Sequence, residues 1–156
     1  MKSIAILLTA VSAVSAAALV PKDIPVILGQ ADRVEIVERD FSKGGKIVRQ
    51  SEITPQAVAE LGAILANAEP TEGCCMCNGN PIINIYKSGS SAKTITIHHG
   101  LTVRMLGSKL NAKICSPWRL AEWLADNGFR STKSEFEATA KTPENFSESK
   151  IGREKY

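Results

Sequence analysis

The sequence is short of the residues on which nucleic-acid and membrane binding depend. It has four Phe, two Trp and two Tyr in 156 residues, too few for an aromatic platform that stacks on bases. Its 19 basic and 16 acidic residues give a net charge of +3, and no run of like charge occurs. After the amino-terminal segment, no apolar run reaches the roughly 20 residues of a membrane-spanning helix. We therefore expect neither a nucleic-acid partner nor a membrane span in the mature chain.

Signatures of familiar catalytic sites are also missing. The chain has no Gly-x-Ser-x-Gly elbow, no His-Glu-x-x-His helix and no glycine-rich phosphate loop. Its two histidines, His98 and His99, are adjacent, and adjacent residues in a strand point to opposite faces of a sheet. The sequence therefore predicts no catalytic residues and favours a protein that is not an enzyme. The alternative is an enzyme that uses His98, with Tyr86 or Arg104 nearby.

The amino-terminal segment has the features of a secretory signal peptide. Lys2 supplies a positive charge, an apolar run begins at Ile4, and small residues from Ser15 to Ala18 suit a signal peptidase. An uncleaved anchor is the alternative, but the run is short and is interrupted by Ser and Thr. We expect residues 1–18 to be removed and the mature protein, about 138 of the 156 residues, to be periplasmic or secreted.

Three of the four cysteines fall in the stretch GCCMCNGNP, residues 73–81. In an oxidising compartment thiols tend to pair, so the disulfide candidates are Cys74, Cys75, Cys77 and Cys115. Four cysteines allow three connectivities, and the sequence leaves the choice open. We expect at least one bridge from the cluster to Cys115, which would close a loop of about 40 residues and contribute roughly 3–4 kcal/mol.

A metal site is the alternative use of these sulfur atoms. The residue types that bind Cu(I) or Zn(II) are present at Cys75, Cys77, His98, His99 and Cys115. The spacing lacks the two separated Cys-x-x-Cys units of a zinc ribbon. A redox role is less favoured, because a turn follows the cluster, whereas a reactive thiol is typically placed at a helix start. No other cofactor is expected.

Hydrophobic periodicity predicts an α+β domain over residues 19–129. Residues 19–33 contain Pro21, Pro25 and Gly29 and are predicted to be extended. Five strand-like runs follow from residue 33 onwards, RVEIVERD, KIVRQSEI, PIINIYK, AKTITIHH and LTVRML, together with two helices that begin after Thr54 and Ser116. The predicted order is ββαβββα, an antiparallel sheet of about five strands with both helices on one face. Residues 130–156 are polar and are predicted to form a flexible tail.

The last hairpin fixes which side chains share a face. A three-residue loop, His99-Gly100-Leu101, pairs His98 with Thr102 and keeps apolar residues opposite apolar residues. The face without helices would then carry Asn84, Tyr86, Thr94, Thr96, His98, Thr102 and Arg104. Among these, Tyr86, His98 and Arg104 are the candidates for a binding surface, because Arg and Tyr are favoured at protein interfaces.

One stretch of the sequence resembles a known pattern. The unit Cys75-Met76-Cys77-Asn78-Gly79, a following strand, TITIHHG, Arg104 and a Trp123-Leu124 helix ending at Gly128 are similar to a pattern in short uncharacterised bacterial proteins. The resemblance covers roughly residues 50–129. It implies a strand-rich middle and a closing helix, and it brings no activity or catalytic residues with it.

These observations favour a small exported noncatalytic binding protein with a protein partner, in the bacterial envelope or outside the cell. An inhibitor or an immunity-type protein would have such a sequence. The alternative is a protein that binds Cu or Zn through the cysteine cluster and a histidine. The oligomeric state does not follow from the sequence.

Overall fold

The computed structural model describes residues 23–71, 77–107 and 111–140. Within these ranges the chain is α+β with an antiparallel sheet, as predicted. The helices are α1 (Ile24–Gly29), α2 (Pro55–Leu65), α3 (Pro117–Asp126) and α4 (Ser131–Ala140). The strands are β1 (Arg33–Asp40), β2 (Lys46–Glu52), β3 (Glu69–Thr71), β4 (Ile82–Lys87), β5 (Ser90–His98), β6 (Thr102–Met105) and β7 (Asn111–Lys113).

The described sheet has seven strands, in the order β2-β1-β4-β5-β6-β7-β3, and not about five. The two additional strands, β3 and β7, have three residues each and pair with each other at one edge. Three residues are too few to show the alternation by which longer strands are recognised. Pro70 within β3 also argues against a strand in the sequence, although an edge strand tolerates proline.

The described residues form four α-helices, whereas two were predicted. Helix α1 lies in the segment predicted to be extended, with Pro25 in its first turn, where the missing N–H of proline is no disadvantage. Helix α4 lies in the segment predicted to be a tail. Its composition is polar, so its sequence carries no apolar stripe, yet Thr132 is buried at 2% exposure. Residues 1–18, the predicted leader, lie outside the described ranges.

The two hairpin predictions agree with the structure. Gly44 and Gly45 turn β1 into β2 with φ of 70° and 78°, values that glycine adopts without strain. Between β5 and β6, His98 pairs with Thr102 and Thr96 pairs with Arg104. The three-residue loop is therefore confirmed.

The apolar core lies between one face of the sheet and three helices. It includes Leu28 of α1, Leu61 of α2 and Leu120 of α3, which meet the isoleucines at 83, 85, 95 and 97. All of these side chains are at most 1% exposed. The longest described helix, α2, has eleven residues, and no described helix is long and apolar enough to cross a bilayer. The opposite face of the sheet carries a different set of side chains.

Candidate functional site

The opposite face carries polar residues in continuous rows across the strands. One row joins Glu35, Asn84 and Thr94 of β1, β4 and β5. A second joins Thr96, Arg104 and Asn111 of β5, β6 and β7. We call this surface the polar face; it comprises Arg33, Glu35, Gln50, Asn84, Tyr86, Thr94, Thr96, His98, Thr102, Arg104 and Asn111. The seven residues predicted to share this face do share it.

Glu35 is the centre of one hydrogen-bond network on the polar face. Gln50 Nε2 donates to Glu35 Oε1 at 2.9 Å, and the Tyr86 hydroxyl donates to Oε2 at 3.0 Å. The Arg33 guanidinium lies 3.8 Å from the centre of the Tyr86 ring. The bond from Gln50 is the main cause that lowers the pKa of Glu35, against the opposing effect of burial. The Tyr86 pKa is raised because its hydroxyl donates to a carboxylate.

His98 is the centre of a second network. Its Nδ1 lies 3.0 Å from Cys77 Sγ, and its Nε2 lies 2.8 Å from Thr96 Oγ1. The ring is 2% exposed. Burial lowers the pKa of His98 from 6.5 to about 4, with further lowering by the charge of Arg104 and by His99. The imidazole is therefore neutral at pH 7.

The contacts of Thr96 assign the tautomer of this ring. Its hydroxyl donates to the carbonyl of Arg104 at 3.4 Å. A hydroxyl has one proton, so we assign Nε2 of His98 as the donor to Thr96. The Nδ1 lone pair is then directed at the sulfur of Cys77.

A tight loop covers His98. A Cβ on Gly79 would lie 2.7 Å from Thr96 Cβ and 2.9 Å from His98 Nε2, so only glycine fits at this position of the loop. The Asn80 amide donates to the Ile97 carbonyl at 2.6 Å, which joins the loop to the end of β5. The turn was apparent from Asn78-Gly79-Asn80-Pro81, but nothing local showed that it would lie on His98.

The three predicted surface residues do not form one patch. Tyr86 pairs with Ser91, whereas Ile82, at the other end of β4, pairs with Thr96. His98 lies two residues beyond Thr96, so about six residues separate it from Tyr86 along the strands, or roughly 20 Å. Arg104 lies at the His98 end, where its Nε donates to Asn111 Oδ1 at 2.8 Å. The polar face therefore has two separate centres. The sequence pattern did not identify Glu35 and Asn111 as members of this face.

The predicted metal ligands are only partly brought together. Cys77 and His98 are in contact, whereas the exposed His99 lies 3.4 Å from Glu135 Oε1 of α4. Cys115 is exposed and carries a free thiol, which donates to the carbonyl of Asn67 at 2.6 Å. Cys75 lies outside the described residues. Within the described ranges, no group of three or more His, Cys, Asp or Glu side chains could hold an ion.

The predicted bridge to Cys115 is not formed in this structure. The sulfur of Cys115 instead contacts the end of the segment that follows α2, and no disulfide joins two described residues. The other disulfide candidates, Cys74 and Cys75, lie outside the described ranges. Cys77 is disulfide-bonded, and because Cys115 is free, Cys115 is not its partner. Which cysteine of the cluster pairs with Cys77 stays a prediction.

The chain was also compared with known proteins. No protein-family model, no curated protein and no solved structure matches it. No residue role can therefore be carried over from a relative, and the function has to be inferred from the side chains described above.

Proposed function

We propose that this protein is a small exported noncatalytic binding protein, of the inhibitor or immunity type, that recognises a protein partner through the Glu35 end of the polar face. The observation that carries the proposal is the network of Arg33, Tyr86, Glu35 and Gln50, whose partners hold one another in place. Side chains that are ordered before binding lose less conformational entropy when a partner arrives.

The composition of the polar face favours a protein as the partner. Arg33 and Glu35 bring opposite charges close together, so the surface does not attract a polyanion. Arg and Tyr are among the residues that contribute most at the centres of protein interfaces. The side chains of α1, α2 and α3 pack on the other face of the sheet, and at the Glu35 end of the polar face Arg33 is exposed and Tyr86 is half-buried.

Binding to a purified partner tests the proposal. The mature protein is immobilised, a partner is isolated from envelope extract or culture medium, and the purified pair is titrated calorimetrically. Arg33→Ala and Tyr86→Ala should each weaken binding by about tenfold or more, as residues central to an interface do. Arg119→Ala, an exposed arginine of α3 on the helix side, is the matched control and should bind like the wild type. Unchanged affinity of both polar-face variants would refute the assignment of this surface.

Export and disulfide formation are tested together by intact mass. The secreted protein should lack residues 1–18, and its mass after reduction and alkylation should reveal any bridge within the cysteine cluster. A chain that keeps Met1 and alkylates fully without reduction would contradict both parts of this proposal.

The contact between Cys77 and His98 favours a second candidate, the binding of Cu(I) or Zn(II). A cysteine sulfur and an imidazole nitrogen are 3.0 Å apart, and the assigned tautomer directs a lone pair towards the sulfur. Cys74 and Cys75 are near Cys77 in the sequence and would have to complete the coordination as thiolates. Cys77 is disulfide-bonded in this structure, and a disulfide sulfur is not a thiolate ligand, so metal binding requires the reduced protein.

Metal titration separates this candidate from the first. Reduced protein should bind one Zn(II) or Cu(I), and both His98→Ala and Cys77→Ser should lose at least about tenfold in affinity. His99→Ala is the matched control, because His99 faces α4. Equal metal affinity of the His98 and His99 variants would exclude this site.

A further inference from the structure

A groove of about 530 Å³ opens between the β1–β2 hairpin and the link from α3 to α4. Glu38, Arg39, Arg49 and Arg130 contribute to its lining. Glu38 is two residues from the buried core residue Ile36 on β1, so both point to the helix side of the sheet. The groove is therefore separate from the polar face and from the function proposed for it.

Glu38 is the unusual residue of this groove. Its side chain is 8% exposed, and its Oε1 is buried without a hydrogen-bond partner among the described residues. Burying a carboxylate oxygen with no donor is costly, and most buried polar atoms in folded proteins have a partner. Glu38 contributes to the wall of an open groove, so a ligand bound there can supply the missing donor.

Arginines around Glu38 give the groove an excess of positive charge. Arg49 is the cross-strand partner of Glu38, and its guanidinium lies 5.9 Å from the centre of the Phe129 ring. Neither Arg49 nor Arg130 forms an ion pair within the described part of the chain. Asp40 does not neutralise them, because its carboxylate is engaged by Ser42 and Lys43.

We propose that this groove binds a small acidic amino acid, a molecule with one ammonium and two carboxylates. The ammonium donates to Glu38, and the carboxylates bind the guanidinium groups of Arg49 and Arg130, which suit planar carboxylates. Phe41 and Val48, which are 47% and 52% exposed, form an apolar wall for the methylene groups. The volume is in the range of small-molecule sites, about 300–1,000 Å³.

The carboxylate of Glu38 distinguishes this ligand from a simple anion. A phosphate or a dicarboxylate would satisfy the arginines but would face Glu38 with like charge and without the donor that its Oε1 lacks. A simple amine would satisfy Glu38 and leave the arginines unpaired. Only a ligand with both an ammonium group and carboxylates would pair with Glu38 and with the arginines.

Calorimetric titration with three related compounds tests the proposal. L-glutamate has all three groups, glutarate lacks the ammonium, and 4-aminobutyrate lacks one carboxylate. The wild-type protein should bind L-glutamate saturably and each analogue at least about tenfold more weakly, the usual effect of losing one charged hydrogen bond. Absence of saturable L-glutamate binding, or glutarate affinity equal to that of L-glutamate, would overturn the proposal.

Substitutions of Arg130 and Glu38 test which residue binds which charged group of the ligand. Arg130→Gln should weaken L-glutamate binding by about tenfold, whereas Arg119→Gln on the exposed side of α3 should leave it unchanged. Glu38→Gln keeps the size of the side chain, and it should remove the preference for L-glutamate over glutarate. A preference that persists in a folded Glu38→Gln protein would show that Glu38 does not bind the ammonium. If this variant fails to fold, the comparison of the three compounds on the wild-type protein still tests whether the groove selects a ligand with all three charged groups.

Discussion

Replacing Gly79 by alanine should destabilise the protein more than the same replacement at Gly89. Both glycines have left-handed backbone conformations, with φ of 70° and 75°. They differ in their surroundings: a Cβ on Gly79 meets Thr96 and His98 within 3 Å, whereas a Cβ on Gly89 meets nothing within 4 Å. The pair therefore separates the effect of the backbone conformation from the effect of close packing.

The expected magnitudes follow from these two effects. An alanine in the left-handed region costs roughly 1–2 kcal/mol, less a small gain because alanine restricts the unfolded chain. Overpacking against a neighbouring backbone and ring adds about 1–3 kcal/mol. Gly89→Ala should therefore lose about 1 kcal/mol of unfolding free energy, and Gly79→Ala about 2–4 kcal/mol.

Urea unfolding followed by tryptophan fluorescence measures both losses under the same conditions. A second measurement follows the pKa of His98 by NMR, because a loop that lifts away to relieve the clash would expose the ring and move its pKa towards 6.5. Equal destabilisation by the two substitutions, with no change at His98, would refute the close contact between the loop and the ring.

Two further outcomes are expected from substitutions at His98 and Thr54. The pKa of His98 is lowered from 6.5 to about 4 in the folded protein, so protons bind the unfolded chain more tightly, and acidification from pH 7 to pH 5 should remove about 1–2 kcal/mol of stability. In metal-free protein, urea unfolding at the two pH values should show this loss in the wild type and in His99→Asn but not in His98→Asn; an identical pH dependence in all three would contradict it. Thr54→Ala removes the hydroxyl that accepts from the Ala57 amide at 3.2 Å, and it should cost about 1 kcal/mol. Ser116→Ala should cost clearly less in the same assay, because Ser116 makes no side-chain capping bond, and equal losses would contradict the capping role of Thr54.

The two centres of the polar face differ in how well ligands can reach them. Arg33 is exposed and Tyr86 is half-buried, so a partner can contact both without moving the chain. His98 is 2% exposed beneath the loop at Gly79. We therefore assign the proposed protein partner to the Glu35 end and the proposed metal ion to the His98 end.

Several features of the fold could be predicted because they depend on residues close together in the chain. The alternation in TITIHHG and LTVRML specified the loop that pairs His98 with Thr102, since a shift of one residue would exchange the faces of the strand. Thr54 followed by Pro55 specified the start of α2. The same alternation identified the polar face before its neighbours were known.

The candidate sites depended instead on contacts between distant parts of the chain. Cys77 and His98 are 21 residues apart and meet because a turn lies on the end of β5. The sequence could not show that Cys115 would contact Asn67, 48 residues earlier, and remain a free thiol.

The sequence by itself determined the class of the fold, the longer strands and the set of side chains on one face of the sheet. These follow from periodicity and capping, which act over a few residues. Only the tertiary structure decided that Glu38 would be buried beside Arg49, which forms no ion pair with any described residue, and that Tyr86 would lie far from His98. Such distances depend on strand order and on the position of each pair along the strands, which no local pattern records.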